Sequence, residues 1–214
     1  MSTIFHCYCG FLVGNLFRLI LNLFSEQQTK ALVKPHHIGQ LHLSSLFFPV
    51  TKPTYSPKLE LKRWAMLPYL EIITSLIFGL AAICGLTWTQ HYLLCFSLLL
   101  CFFDLDSQEY PLIIWLISFL LLLPFYGINL LTVLLLLLAL LSAAIPINIG
   151  AGDFLYLANL ALVIKLSSLL WIVQIASLVG ILACLVLKTK KIPFIPYLTL
   201  GLMAILLFER LTGS

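Results

Sequence analysis

The run INLLTVLLLLLALLSAAIPI, residues 128–147, carries no charge over twenty positions and decides the class of the chain. A bilayer core of about 30 Å needs roughly 20 predominantly apolar residues at about 1.5 Å per residue of helix. The run meets that length and reads as a lipid-facing helix. Working outward, the pattern recurs: 62% of the 214 residues are hydrophobic, 9% are charged, and the mean hydropathy is +1.10. Soluble domains carry roughly a quarter charged residues. The chain therefore belongs in a membrane.

By the same length criterion the apolar segments are 4–24, 67–88, 91–103, 112–126, 128–147, 154–166, 168–187 and 194–208. The expected fold is all-α, a polytopic membrane protein of about eight transmembrane helices. Its parts are a first helix (1–24), a polar loop (25–66) and a membrane-embedded core (67–214). Segments 91–103 and 154–166 are short for spans, and their neighbours require them if the topology is to close in one orientation. The first segment lacks a basic leader region, and Arg18 lies near its far end, so it reads as a span rather than a cleaved signal. Pro35, Pro49, Pro53 and Pro57 argue against long regular helix in the loop.

Orientation follows from the basic residues, which are retained on the cytoplasmic side of short loops. Lys30, Lys34, Lys52, Lys58, Lys62 and Arg63 crowd the first loop, and Lys188, Lys190 and Lys191 crowd the loop before the last segment. Lys165 and Arg210 fall opposite. With eight spans both basic loops face the cytoplasm, as do the stretches around Asp104 and Asp153. The formal net charge of +4 is small, and most Lys and Arg fall in these two loops rather than along a face that could track nucleic acid. Cys84, Cys95, Cys101 and Cys184 sit in apolar runs, where a thiol acts as a small hydrophobe, and the Cys7/Cys9 spacing fits neither a zinc site nor a redox pair. His36, His37 and His42 have no carboxylate or Cys in ligand spacing, so no metal is expected.

Of the eight acidic residues, Glu26 and Glu60 lie in the loop and Glu209 at the outer end of the last segment. Asp104, Asp106 and Glu109 stand together in FDLDSQEYP, residues 103–111, where the third segment ends, and Asp153 closes Gly150-Ala151-Gly152-Asp153 where the sixth begins. Ionisable groups at membrane depth are costly and mark function by default, although carboxylates at helix ends also serve as interfacial caps. Gly150 and Gly152 suggest a sharp, close-packed backbone ahead of Asp153, and Pro111 ends the first acidic stretch. Two carboxylates within hydrogen-bonding reach cannot both ionise readily, so one keeps a proton and the pair supplies an acid and a base. Such a pair can activate water against a peptide carbonyl and protonate the leaving amine. No nucleophile elbow for Ser/His/Asp chemistry is present.

These residues resemble the type IV prepilin peptidases, members of the GxGD membrane aspartyl proteases. Asp104 to Pro111 matches that family's D-x6-P stretch after a hydrophobic helix, and Gly150-Ala151-Gly152-Asp153 matches GxGD without a gap. Residues 10–18 look like the family's first helix, Pro68-Tyr69-Leu70-Glu71 like the start of its second, and Pro193-Phe194-Ile195-Pro196 with Gly201 like its last. The resemblance implies Asp104 and Asp153 as catalysts, with Asp106 as an accessory acid. It implies an aspartic endopeptidase in the cell membrane that cuts a basic leader from prepilins or pilin-like proteins at the cytoplasmic face.

Three departures bear on those expectations. The loop has no Cys where larger members carry two C-x-x-C pairs, so zinc is not expected there. The N-methylation that such members perform with S-adenosylmethionine stays open, while proteolysis needs no cofactor. Leu155 stands where a basic residue often follows GxGD. A short, Cys-free loop points to the compact type that serves competence pseudopili in Gram-positive bacteria. The rival reading is a small ion- or proton-coupled transporter using Asp104 and Asp153 near mid-membrane, and a catalytically silent scaffold is a third.

The orientation is testable directly. A single cysteine introduced between residues 40 and 62 is expected to react with a membrane-impermeant thiol reagent only after the membrane is opened; labelling of intact cells would reverse the topology.

Overall fold

In the computed structural model the described residues are 2–33, 69–107, 111–145, 150–188 and 192–212. Among them lie eight helices and no strands: α1 (Ser2–Val33), α2 (Tyr69–Ile83), α3 (Trp88–Ser107), α4 (Leu112–Tyr126), α5 (Leu130–Ala144), α6 (Ala151–Val163), α7 (Leu166–Leu187) and α8 (Ile195–Thr212). Each expected apolar segment has become one helix. The regular structure of the described residues is all helical, and four of the helices are long and apolar enough to cross a membrane.

The lengths differ from expectation. Four stretches are long and apolar enough to cross a bilayer: Thr3–Phe24, Trp88–Leu105, Leu166–Leu187 and Ile195–Thr212. α2, α4 and α5 have 15 residues each and α6 has 13, which at about 1.5 Å per residue is some 20–23 Å, short of a 30 Å core. The run 128–147 illustrates why. Asn129 caps α5, its side chain accepting from the Thr132 N–H at 2.7 Å, and Ile145 turns extended (φ −115°, ψ 132°) before Pro146. Hydropathy does not register these punctuating residues, so it overran both ends. It fell short elsewhere: α3 extends through Ser107, and α1 continues to Val33, into the stretch expected to be loop. The remainder of that loop, from residue 34 to 68, lies outside the described residues.

The chain forms two compact units, residues 1–95 and 96–214. In the first, α1 packs on α2 with almost no side chain between them. A Cβ on Gly10 would meet the Thr74 carbonyl oxygen at 2.6 Å, and one on Gly14 would meet the Glu71 Cα at 2.6 Å. Small residues four apart let two backbones approach this closely, which in lipid supplies the packing that water would otherwise drive. The Ser75 hydroxyl donates to the Cys7 carbonyl (2.9 Å), and Arg18 Nη2 lies 2.6 and 2.7 Å from the two oxygens of Glu71, a carboxylate only 3% exposed. Toward the other end of α2 the rings of Phe78, His91, His6 and Trp88 cluster, with centroids 5.4–6.1 Å apart.

In the second unit α6 is the inner element: Tyr156 to Leu162 are all buried. α5 and α7 turn Leu134, Leu137, Leu140, Leu178, Ile181 and Leu185 outward, as lipid-facing helices do. α8 crosses α7 closely at Gly201, where a Cβ would meet the Ile172 carbonyl oxygen at 2.6 Å.

Two outcomes are expected in thermal or denaturant unfolding. Gly14→Leu should destabilise by about 1–3 kcal/mol through overpacking. Arg18→Ala, which leaves the buried Glu71 without its ion-pair partner, should cost about 3–5 kcal/mol, and removing both partners should cost less than the sum of the single losses.

Candidate functional site

Both implicated aspartates lie in the second unit, and Asp153 stands within the electrostatic reach of Asp104. Asp104 is not beyond the helix exit but inside the last turn of α3, and it is 6% exposed. The charges that end the apolar run do not end the backbone hydrogen bonding, and α3 therefore carries the carboxylate inward on a rigid element. Its Oδ2 accepts the Ile195 N–H at 2.9 Å, and the Phe194 N–H contributes as well. Ile195 opens α8, so its N–H is among the donors a helix leaves unused at its start. Pro196 follows without an N–H, and the Tyr197 N–H turns back to the Phe194 carbonyl at 3.1 Å. Asp104 thus caps α8 from another helix, at the positive end of its dipole.

Asp153 occupies the third position of α6, after Gly150 as N-cap. Its N–H bonds the Gly150 carbonyl at 3.1 Å, and its carboxylate accepts the Gly150 N–H. This is the carboxylate half of a capping box. Asp153 lies in the electrostatic field of Asp104. Asp104 is thus fixed by α8 and Asp153 by the first turn of its own helix.

The neighbouring motif residues take less expected parts. Gly150 adopts an extended conformation (φ −65°, ψ 133°) open to any residue, and a Cβ there would lie 3.4 Å from Asp153 Oδ2, an ordinary contact. Gly152 is within the helix, and neither glycine has a positive φ. The anticipated sharp backbone is absent at Gly150 and Gly152, because a helix start with a backbone cap requires no left-handed residue. Pro111 is buried as the N-cap of α4. Asp106 is in the last turn of α3, while Glu109 and His36, His37 and His42 lie outside the described residues. Among the described residues no three His, Cys, Asp or Glu side chains gather.

Sequence reading missed the residues that hold α6 in place. The Trp115 indole donates to the Leu155 carbonyl at 2.6 Å, Asn159 Nδ2 to the Ser118 hydroxyl at 2.7 Å, Asn129 Nδ2 to the Ala161 carbonyl at 2.6 Å, and the Tyr156 hydroxyl to Ser97 Oγ at 2.7 Å. Asn129, Asn159 and Trp115, polar side chains inside apolar runs, were the available signal. Their partners lie 32–59 positions away and have no local pattern.

Comparison with protein-family profiles, curated proteins and solved structures gives no match to this chain.

The cap and any chemistry at Asp104 can be separated. Asp104→Asn retains an acceptor for the Ile195 N–H and should unfold within a few tenths of a kcal/mol of the parent, whereas Asp104→Ala should lose about 0.5–2 kcal/mol. Equal stability of the two variants would remove the cap from consideration.

Proposed function

We propose that this chain is a multi-pass membrane aspartic endopeptidase of the prepilin peptidase type, with Asp104 and Asp153 as its catalytic pair. The observation that supports the reading is the placement of Asp104 in the last turn of α3 and Asp153 in the first turn of α6, with Asp153 in the field of Asp104. Neither helix needs the other's acid for its own termination, since Asp153 is satisfied by Gly150 and Asp104 by α8. A carboxylate in the field of another resists ionising alongside it, so one member of such a pair keeps a proton. The charged member takes a proton from water as it attacks the scissile carbonyl, while the protonated member gives its proton to the carbonyl oxygen; the proton taken from water then passes to the amine nitrogen as the C–N bond breaks, and the first donor regains its proton from the collapsing diol. The pair then returns to its starting state, and no cofactor takes part in hydrolysis.

The proposed topology has eight spans, with the basic stretches near residues 30–63 and 188–191 in the cytoplasm. The shortest helix, α6, is tolerated because protein rather than lipid surrounds its middle. The substrate follows from that placement: a pilin-like protein with its hydrophobic helix in the bilayer and its basic leader at the cytoplasmic face, cut where the two join. Methyl transfer from S-adenosylmethionine is left out of the proposal, because the loop lacks the Cys pairs of the larger enzymes.

The reading is tested by co-expressing the chain with a pilin-like protein and following leader removal by size. Asp104→Asn and Asp153→Asn should each slow cleavage by about 10²–10⁴-fold, while Asp106→Asn and Glu109→Gln should retain most of it. Full processing by either dyad variant would sink the proposal. Proton or cation flux in vesicles that both dyad variants abolish, without any cleavage, would favour the transporter instead.

A further inference from the structure

The three helices that build the carboxylate pair each carry a second polar group further along the same face, and those second groups meet. On α6, Tyr156 follows Asp153 by three residues; on α3, Ser97 precedes Asp104 by seven, or two turns; on α8, Thr199 follows Ile195 by four. Tyr156 is 0% exposed, and its hydroxyl donates to Ser97 Oγ at 2.7 Å and lies against the Thr199 side chain. Thr199 Oγ1 is 3.4 Å from the Ser97 carbonyl oxygen and donates to the Ile195 carbonyl at 2.9 Å. The Tyr156 ring stacks on Phe96 at 6.2 Å with an interplanar angle of 14°. The upper contact, Asp104 with Ile195, ties α3 to α8; the lower one ties α3 to both α6 and α8.

Stability alone gives little reason for this arrangement. Hydrogen bonds between membrane helices contribute modestly, and replacing both partners by apolar groups of similar shape is close to neutral. What a buried phenol, a serine and a threonine supply that Leu or Phe would not is a fixed separation and rotation between helices. Because Asp153 stands less than one turn from Tyr156, that rotation sets where its carboxylate points.

We propose that Tyr156, through Ser97 and Thr199, is the positioning residue of the Asp104–Asp153 pair, holding α6 against α3 in the one register that brings the two carboxylates together. The proposal rests on the reading of that pair as catalytic. Tyr156 touches neither substrate nor the reacting atoms; its effect passes through the placement of Asp153.

The test uses the full chain in lipid nanodiscs and a synthetic peptide made of a basic leader, a Gly and an apolar helix of pilin type. Tyr156→Phe and Ser97→Ala should each lower kcat about 10- to 100-fold, with KM within about twofold, as expected for misplaced catalytic groups. Together they should lower it no further, since both remove the same bond. Ser168→Ala removes an interhelical hydrogen bond elsewhere, to Glu209 at 2.5 Å, and should leave kcat unchanged. A second readout is independent of cleavage: the infrared carbonyl band of a protonated aspartic carboxyl, identified by its loss in Asp104→Asn or Asp153→Asn. The band should move in Tyr156→Phe and stay in Ser168→Ala.

An unmoved band in Tyr156→Phe overturns the proposal, as does an unchanged kcat in a chain that cuts the peptide. So does a fall in kcat and KM that tracks lost thermal stability in Ser168→Ala as well, which would make Tyr156 only one of several structural bonds. If the parent chain cuts no peptide, the peptidase reading has failed, and the infrared comparison still decides whether Tyr156 positions the pair.

Discussion

The second unit depends on α6 being held from three sides. This helix of 13 residues is too short to cross a bilayer core by itself, and its middle is wholly buried. Side-chain hydrogen bonds reach it from α3 through Ser97, from α4 through Trp115 and Ser118, and from α5 through Asn129. In lipid no hydrophobic gain favours one helix contact over another, because acyl chains are as apolar as leucine. Direction must come from packing and from polar groups that would otherwise stay unsatisfied. α6 has an unusual share of both, and the position of Asp153 is inherited from them.

The first unit solves the same problem by different means. Gly10 and Gly14 remove the side chains between α1 and α2, and the Arg18–Glu71 pair fixes how far one helix slides along the other. Close backbone approach gives dispersion over many atoms, while the ion pair is a single point of register. A buried carboxylate with its partner at 2.6 Å is weak evidence for stability and better evidence for specificity. The aromatic group around His91 adds shape at the other end of α2, through Phe78.

Much of this was legible in the residue order, for identifiable reasons. Each helix coincides with an apolar run, because the cost of exposed backbone polar groups in lipid forces every such run into a helix. Helix ends were less legible, since they are decided by Asn129, by the residue before Pro146 and by the reach of α3 past its first acids, none of which hydropathy weighs. Asp104 and Asp153 could be singled out as acids in an apolar chain. That Asp104 caps α8 could not be, because its donor is a main-chain N–H 91 positions away and backbone donors carry no sequence signature. Gly150 misled in the opposite direction: it stands out in the sequence, yet its extended backbone is open to any residue, and neither it nor Gly152 has a positive φ. The glycines that geometry does require, Gly10 and Gly14, are set by a neighbour that sequence spacing by itself does not identify.

The bond from Ile195 to Asp104 also has a consequence in time. During synthesis the helices emerge in order, and α8 follows all the others described. Until it has folded against α3, the buried Asp104 carboxylate lacks the donor that now satisfies it, so the pair stays unfinished while the earlier helices assemble. A chain whose α8 has not yet emerged would carry Asp104 without its final partner, and the folding of α8 against α3 would complete that contact.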